Sequence, residues 1–285
     1  MKIAYLGPAA SHSQGACQAF TTQFMPHQPM RLIPMASLTQ VLEAVEEGVV
    51  DLGCVPVENA LEGAVSEVLD VLALKLSKTR IVAEFVRPIR HALIRQYPVL
   101  EGIRFVHSHP QAIGQCREAI YELLGKDVKI VTAASTSEAV KNLLNLDETH
   151  AALGTVQAAA HYGLDVVVDN IGDLNQNQTL FLILSANQTF LDVGHIYPIK
   201  TSLCLGQLEN KPGALLEILT ILAKFQLNMS KIHSRPSKQC LGEYVFFIDL
   251  EALLPAEAEQ VLRERAAFYR DLGIYPALGV IDDTP

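Results

Sequence analysis

The sequence predicts an α/β protein in which repeated βα units are followed by a ferredoxin-like α+β unit. Its 285 residues exceed one typical domain of about 150 residues, so we expect two domains. Up to residue 185, short apolar runs each lead through a small polar residue into a helical pattern, which is typical of βα units around a mostly parallel sheet. Between residues 185 and 199 the helical period is lost and Asn, Gln, Gly and Pro accumulate, which indicates an interdomain connection.

Four strand-to-helix transitions are predicted in the first domain. Apolar runs at residues 3–6, 51–57 and 103–107 predict strands, and the helical patterns behind them end near residues 24, 76 and 124. Ser108 and Gln111 have the spacing of a capping box before the third helix, and Gly125 is a stop signal after it. Ser135 and Glu138 have the same spacing and predict the start of a fourth helix.

The second domain is predicted to have the order βαββαβ. Strands are expected at residues 201–205, 229–234, 244–250 and near Gly279, with helices at 214–225 and 256–269. This order is that of a ferredoxin-like α+β unit. Since such a sheet has open edges, we expect self-association through this domain.

Composition and charge exclude several function classes. Lys and Arg number 22 against 31 Asp and Glu, a net charge of −9, and no basic stripe is present, so nucleic acid is not an expected partner. The five cysteines are scattered singly, which favours reduced thiols and a cytoplasmic protein. No signal peptide and no apolar stretch of about 20 residues is found, so we expect neither secretion nor a membrane partner.

Polar side chains follow three predicted strand ends. Ser11 and Ser13, Asn59, and Ser108 lie where helix N-termini and free backbone N–H groups favour an anionic ligand, so a small carboxylate is the expected guest. Each of these residues is also a common helix cap, and that simpler interpretation stays open. Gln115 lies about two turns into the helix after Ser108.

Other chemistry finds little support in the sequence. His107 and His109 lack a third ligand at a familiar spacing, so no metal site is predicted. The dinucleotide-binding glycine motif does not occur in the sequence. There is no P-loop either, because Gly125 and Lys126 are followed by Asp127 where a P-loop needs Ser or Thr. No cofactor is therefore expected.

Read together, these segments resemble the prephenate dehydratases, enzymes of phenylalanine biosynthesis that carry a C-terminal ACT regulatory domain. The matching segments of the first domain are 5–8 (YLGP) with Ser11 and Ser13, 55–59 (VPVEN) with Glu62 and Gly63, 108–111 (SHPQ) with Gln115 and Cys116, and 151–154 (AALG) with 162–164 (YGL). In the second domain, 210–215 (NKPGAL) and 234–236 (SRP) are similar to ACT motifs. Several motifs in one order over nearly the whole chain are highly specific.

The resemblance implies a bilobal first domain like a periplasmic binding protein, with the active site between its lobes. Residues 1–185 would form this catalytic domain, residues 186–198 a linker and residues 199–285 the ACT domain. The implied reaction removes carbon dioxide and hydroxide from prephenate and gives aromatic phenylpyruvate. Thr179 would donate a proton or hydrogen bond to the leaving hydroxyl. The other implied catalytic residues are Asn59, Ser108 and Gln115, and the implied substrate-binding residues are Ser11, Ser13, Glu58 and Phe181.

The resemblance also implies feedback regulation by L-phenylalanine, which would bind at the ACT domain of a homodimer or homotetramer and shift a two-state equilibrium. The implied effector-binding residues are Asn210, Pro212, Gly213, Ala214, Leu215, His233, Ser234, Arg235 and Pro236.

Several positions depart from the family pattern. Leu180 stands where the T-R-F motif has arginine, so a guanidinium beside Thr179 is missing and nothing of similar charge replaces it locally. Ala10 replaces a glycine, His12 an aromatic residue and Ala60 a Ser or Thr, while His233 replaces the glutamate of the ACT motif. Loss of a buried charged hydrogen bond lowers a rate by roughly a hundredfold or more, unless His12 or another cation compensates.

Two alternatives therefore stay open beside a phenylalanine-regulated prephenate dehydratase. One is a catalytically impaired homologue that acts as a sensor of an aromatic amino acid, which Leu180 favours. The other is a dehydratase that prefers arogenate, in which an amino group replaces the keto oxygen.

Overall fold

The computed structural model describes residues 1–173, 176–187, 196–206, 208 and 211–282. The strands before residue 198 are β1 (Lys2–Leu6), β2 (Arg31–Met35), β3 (Leu52–Asn59), β4 (Gly63–Ala64), β5 (Arg80–Pro88), β6 (Ala92–Arg95), β7 (Phe105–Ser108), β8 (Lys129–Thr132), β9 (His150–Gly154), β10 (Asp165–Val168) and β11 (Gln178–Ser185). The helices there are α1 (His12–Phe24), α2 (Leu38–Glu46), α3 (Ser66–Leu74), α4 (Pro110–Gln115), α5 (Arg117–Leu124), α6 (Thr136–Asn142) and α7 (Val156–Tyr162). The second domain has β12 (Ile199–Gly206), α8 (Ala214–Lys224), β13 (Met229–Pro236), β14 (Tyr244–Leu250), α9 (Ala256–Arg265) and β15 (Phe268–Val280).

The strands form two sheets, one in each lobe of the first domain. The first lobe contains β2-β1-β3-β11-β5, and the second lobe has the five-stranded order β10-β6-β9-β7-β8. The chain leaves the first lobe after β5 and returns with β11, which lies antiparallel between β3 and β5. Two crossings therefore connect the lobes, and the predicted bilobal α/β architecture is confirmed.

A row of stacked phenylalanines holds α1 against strands β5 and β11 of the first sheet. Phe85 stacks on Phe20 with ring centroids 5.7 Å apart and on Phe181 at 5.6 Å. All three side chains are buried, and each such pair adds about 0.5–1.5 kcal/mol to the burial of its apolar area. Because side chains two residues apart share a strand face, the anchored Phe181 directs Thr179 to the same face of β11.

The second domain has the predicted βαββαβ order, with its sheet arranged β13-β14-β12-β15. Its last strand, β15, pairs with β12 and also runs parallel to β5 of the first lobe, so one ten-stranded sheet spans both domains. The two strands approach closely at Gly273, which has φ +133°; a Cβ there would lie 2.4 Å from the carbonyl oxygen of Ile81. One of the two edges expected to be open is thus covered by β5, while in the described part of the chain β13 pairs with β14 alone.

Three boundaries differ from the sequence prediction. The helix expected over residues 256–269 ends at Arg265, because Phe268 and Tyr269 already alternate along β15: Tyr269 packs on the core of the second domain and Phe268 on the apolar cluster between the domains. The helix expected to end near residue 124 is divided at Cys116, whose φ of −128° is not helical. After β3 the chain forms a turn and β4, so the next helix begins only at Ser66.

Of the two predicted capping boxes, one is confirmed as a cap. Ser135 accepts a hydrogen bond from the backbone N–H of Glu138 at 3.0 Å. The prediction for Ser108 is wrong: the cap of α4 is His109, whose Nδ1 accepts from the N–H of Gln111, and the Ser108 hydroxyl instead donates to the carbonyl oxygen of Leu153 at 3.1 Å. The predicted linker, residues 186–198, lies largely outside the described residues.

Candidate active site

A cleft of about 920 Å³ lies between the two lobes. Its lining includes most of the predicted site residues of the first domain: Ser11, Ser13, Asn59, Thr179 and Phe181 from the first lobe, and Gln115 from the second. The strand ends of β3 and β11 and the N-terminus of α1 meet here, as expected for a ligand site at the edge of an α/β sheet.

Thr179 and Asn59 are paired at the ends of neighbouring strands. They lie opposite each other in the ladder of β11 and β3, and Asn59 Nδ2 donates to Thr179 Oγ1 at 2.9 Å. The Oδ1 atom of Asn59 accepts the backbone N–H groups of Leu61 and Glu62 at 3.0 and 3.1 Å. Since an amide nitrogen has no lone pair to offer, the Thr179 hydroxyl is the acceptor in its bond with Asn59 and its own proton remains available to a ligand.

Gln115 is joined to the first-lobe pair through Asn177. The Nδ2 atom of Asn177 donates to Gln115 Oε1 at 2.8 Å, and Asn177 Oδ1 accepts from Asn59 Nδ2 at 2.9 Å. His91 Nε2 contacts the same Gln115 oxygen at 3.0 Å. A continuous polar chain therefore crosses from Thr179 to the second lobe.

The N-terminus of α1 supplies polar groups to another wall of the cleft. Ser11 caps the helix by accepting from the N–H of Gln14 at 3.3 Å, and Ser13 lies in the first turn. Ala10 stands at φ +61°, a left-handed conformation that favours glycine, so the backbone shape survives the glycine replacement. In the second lobe, Lys141 adds a cation to the lining.

Two of the histidines that line the cleft, His12 and His91, are neutral at physiological pH. Burial, together with the charges of His91 and Arg87, lowers the pKa of His12 to about 3. Burial likewise lowers the pKa of His91, against the opposing effect of its hydrogen bond to the Gln115 oxygen. The rings of His12 and His91 meet edge to face with centroids 5.1 Å apart. His12 therefore does not supply the compensating cation considered from the sequence.

Leu180 does not face the cleft. Because side chains alternate along a strand, Leu180 points away from Thr179, lies opposite Glu58 in the ladder and packs in the apolar cluster between the domains. A buried guanidinium does lie nearby: Arg87 of β5 is opposite Thr179 in the ladder, and its Nη2 lies 3.6 Å from the place of a Cβ on Gly15. The expectation that no similar charge stands in this region is thus wrong.

Two predicted site residues do not reach the cleft. Ser108 is fully buried, and its hydroxyl donates a hydrogen bond to the carbonyl oxygen of Leu153. Glu58 alternates with Asn59 and so faces the second domain, where it forms an ion pair with Lys231. Both corrections follow from the direction of the side chains, which motif spacing does not give.

The predicted effector residues fall into separate groups. Asn210 lies outside the described residues. Pro212 and Gly213 are exposed before α8, with Ala214 and Leu215 in its first turn, and Ser234 and Pro236 are exposed on β13. Arg235 faces the first domain, where it bonds both carboxylate oxygens of Asp70 at 2.9 and 3.0 Å, and His233 points to that side too. Arg235 is therefore an interdomain contact here, and that bond lowers the pKa of Asp70.

Sequence reasoning missed Asn177, His91 and Arg87. Asn177 lies in the polar run just before Thr179, which was a usable signal, whereas His91 and Arg87 carry no local motif. Within the described residues, no group of three or more His, Cys, Asp or Glu is placed to hold a metal ion. No helix in that part of the chain has the length and apolar character needed to span a membrane.

Comparisons with known proteins agree with this geometry. The model of the prephenate dehydratase family matches residues 3–189, and that of the ACT domain matches residues 206–267. The prephenate dehydratase of Methanocaldococcus jannaschii is 38% identical over 244 residues, which cover 84% of this chain and 86% of that protein. The structure of a prephenate dehydratase from Arthrobacter aurescens in complex with L-Phe has a TM-score of 0.82 at 31% identity, covering 97% of this chain and 90% of the other.

A second protein of similar structure is described differently. GqqA, a novel type of quorum quenching acylase, has a TM-score of 0.83 at 27% identity, covering 97% of this chain and 98% of the other. The family match spans both lobes and includes the cleft residues from Ser11 to Thr179, and the second match falls on the βαββαβ unit. The chain therefore belongs to the prephenate dehydratase family and carries a C-terminal ACT domain.

Proposed function

We propose that the protein converts prephenate to phenylpyruvate in L-phenylalanine biosynthesis and that Thr179 assists the departure of the ring hydroxyl. The observation that carries this proposal is the Asn59–Thr179 hydrogen bond, which leaves the threonine proton available at the wall of the cleft. In the reaction, the bond between the ring and its carboxylate breaks to release carbon dioxide. Its electron pair completes the aromatic ring as the C–O bond breaks, and the hydroxide leaves as water with one added proton.

Substrate alignment falls to groups that need no metal. The N-terminus of α1 with Ser11 and Ser13 favours a carboxylate, because free backbone N–H groups and the helix dipole lie there. The Gln115 amide and Lys141 offer further donors from the second lobe. Since departure of hydroxide develops negative charge on oxygen, a hydroxyl donor held in place at that atom lowers the barrier. Phe181 supplies apolar surface for the ring.

Regulation by L-phenylalanine is part of the proposal. The similar protein from Arthrobacter aurescens was solved with L-Phe and aligns with 97% of this chain, whose residues 206–267 match the ACT domain model. Two ion pairs join β13 to the first lobe, Lys231 with Glu58 and Arg235 with Asp70. Because Glu58 precedes Asn59 on β3, a shift of β13 on effector binding is transmitted to Asn59, the hydrogen-bond partner of Thr179 on β11. We further propose a homodimer or homotetramer formed through the ACT domain, and a cytoplasmic location in keeping with free cysteines.

The alternatives are weighed by the same geometry. Leu180, which favoured a silent sensor, faces away from the cleft, so its support for that alternative is weakened. Arogenate preference stays a candidate, since the amino and keto forms share the leaving hydroxyl. Amide hydrolysis, as described for GqqA, finds no support: within the described residues, Ser11 and Ser108 donate to backbone carbonyls and no cleft serine is hydrogen-bonded to a histidine.

The test is turnover by the purified full-length protein at neutral pH, with prephenate or arogenate and with L-phenylalanine titrated in. Phenylpyruvate from prephenate, modulated by L-phenylalanine, is the expected result. Phenylalanine formed faster from arogenate would assign the other substrate. A folded protein that binds L-phenylalanine and turns over neither compound would be a sensor.

A further inference from the structure

The donor and acceptor atoms of the polar chain across the cleft follow from one fixed point. Asn59 Oδ1 accepts two backbone N–H groups, those of Leu61 and Glu62, so its amide cannot be reversed. Its Nδ2 therefore faces Asn177, and the Asn177 atom that meets it at 2.9 Å must be the oxygen. The orientation of the first amide thus fixes the second.

The orientation of Asn177 in turn fixes that of Gln115 in the second lobe. With its oxygen toward Asn59, Asn177 presents Nδ2 to Gln115, so the Gln115 atom at 2.8 Å is the acceptor Oε1. The nitrogen of the same amide, Gln115 Nε2, then lies 3.5 Å from Glu62 Oε1. Gln115 consequently offers its amino group, and not its oxygen, away from Asn177.

This orientation determines which nitrogen of His91 carries the proton. His91 Nε2 lies 3.0 Å from Gln115 Oε1, an atom that only accepts, so Nε2 must be protonated. His91 is 4% exposed, and its Nδ1 has no hydrogen-bond partner among the residues that the structure describes. In the neutral ring Nδ1 is then a bare acceptor in the wall of the cleft.

We propose that His91 is a positioning residue of the dehydratase, which as its Nε2–H tautomer holds the Gln115 oxygen so that the Gln115 amino group is presented to the substrate. Asn177 alone gives Gln115 Oε1 one donor and leaves the amide free to rotate about that bond. The second donor, from His91, fixes the direction of the amino group. This role rests on the proposed function, because Gln115 is taken as a substrate contact.

Two substitutions separate the hydrogen bond from the bulk of the side chain. His91→Gln keeps an N–H near the position of Nε2, whereas His91→Leu fills the site without a donor. We expect kcat/KM for prephenate to fall about five- to tenfold in His91→Leu and to recover to within about twofold in His91→Gln, the effect of one neutral hydrogen bond. His107→Leu is the matched control, because it removes a contact to His150 in the same lobe outside the cleft lining. Equal losses in both His91 variants, or an equal loss in the control, would overturn the proposal.

A second measurement requires no turnover. Long-range ¹H–¹⁵N correlation spectra of the histidine-labelled full-length protein, with His91→Gln to assign the signal, report which ring nitrogen is protonated at neutral pH. The Nε2–H pattern is expected, and an Nδ1–H pattern would overturn the proposal whatever the activity. If the wild type does not dehydrate prephenate, the proposed function fails, and the tautomer then decides the orientation of Gln115 by itself.

Discussion

Asn59→Asp is the substitution that most sharply probes how the Thr179 proton is directed. The aspartate retains an oxygen for the backbone N–H groups of Leu61 and Glu62, so the turn after β3 is kept. Its second oxygen, however, replaces an Nδ2 atom that lies 2.9 Å from Asn177 Oδ1, 3.1 Å from the Gln178 carbonyl and 2.9 Å from Thr179 Oγ1. The single change therefore turns a donor into an acceptor at the centre of the site.

The expected magnitude follows from where the threonine proton goes. Facing a carboxylate, the Thr179 hydroxyl donates to residue 59 and is withdrawn from the leaving group. Proton donation in a transition state contributes about 10²–10⁴ in rate, so we expect kcat to fall by about 10² to 10³, or about 3–4 kcal/mol. KM should change less than kcat, because Ser11, Ser13 and Lys141 are untouched and only Gln115 is linked to residue 59 through Asn177.

The assay is phenylpyruvate formation from prephenate at neutral pH, with thermal unfolding measured in parallel to confirm that the variant is folded. Asn170→Asp is the matched control, since Asn170 also closes a turn through Oδ1, to the N–H of Gly172, but is exposed outside the cleft. A folded Asn59→Asp protein with kcat within about threefold of the wild type would refute the reasoning.

Three further predictions concern the surroundings of the site. Leu180→Arg places a guanidinium beside Lys231, not in the cleft, so we expect kcat within about twofold of the wild type and a loss of about 1–3 kcal/mol in a urea unfolding curve; a marked gain in kcat would contradict this. Arg235→Ala removes two bonds to Asp70 and should lower stability by about 1–3 kcal/mol, while calorimetry still shows L-phenylalanine binding, with an affinity changed only through the altered coupling of β13 to the first lobe; complete loss of binding by the folded variant would restore Arg235 as an effector ligand. Because the pKa of His12 is about 3 when folded and higher when unfolded, the unfolded state binds the proton first, so stability should fall as pH drops from about 6.5 toward 3. The loss of stability between pH 7 and pH 5 should be smaller in His12→Asn than in the wild type. If the two proteins lose the same stability over this range, His12 is not the cause of the pH dependence.

The fold class was predictable because it depends on patterns that are local in the sequence. Strand-length apolar runs predicted the α/β character of the first domain and the order βαββαβ that of the second, and Ser135 caps a helix where its spacing with Glu138 indicated. Ser11 caps α1, which is the simpler of the two interpretations left open for it. The pairing of β15 with β5 has no such signal, because it depends on how two domains pack after both have formed. Gly273, whose missing Cβ permits that approach, is indistinguishable in the sequence from a turn glycine.

The candidate site was predicted only in part, because its motifs are local in the sequence whereas the directions of its side chains depend on how the strands pair. Motif resemblance predicted Thr179, Asn59 and Gln115, which all line the cleft. It did not give the direction of each side chain, and the side chains of Ser108 and Glu58 point elsewhere. Direction is decided by strand register and alternation, quantities that appear only once β3 and β11 are paired.

The hydroxyl of Thr179 is the central element of the proposed mechanism. The measurement that tests its role is a comparison of kcat for Thr179→Ser and Thr179→Val, each with prephenate as the substrate. Serine keeps the hydroxyl that accepts from Asn59, so we expect kcat within about tenfold of the wild type, whereas valine keeps only the shape and should lose about 10² to 10³. Equal activity of the folded serine and valine variants would contradict the account, because the departing hydroxide would then need no donor at this position.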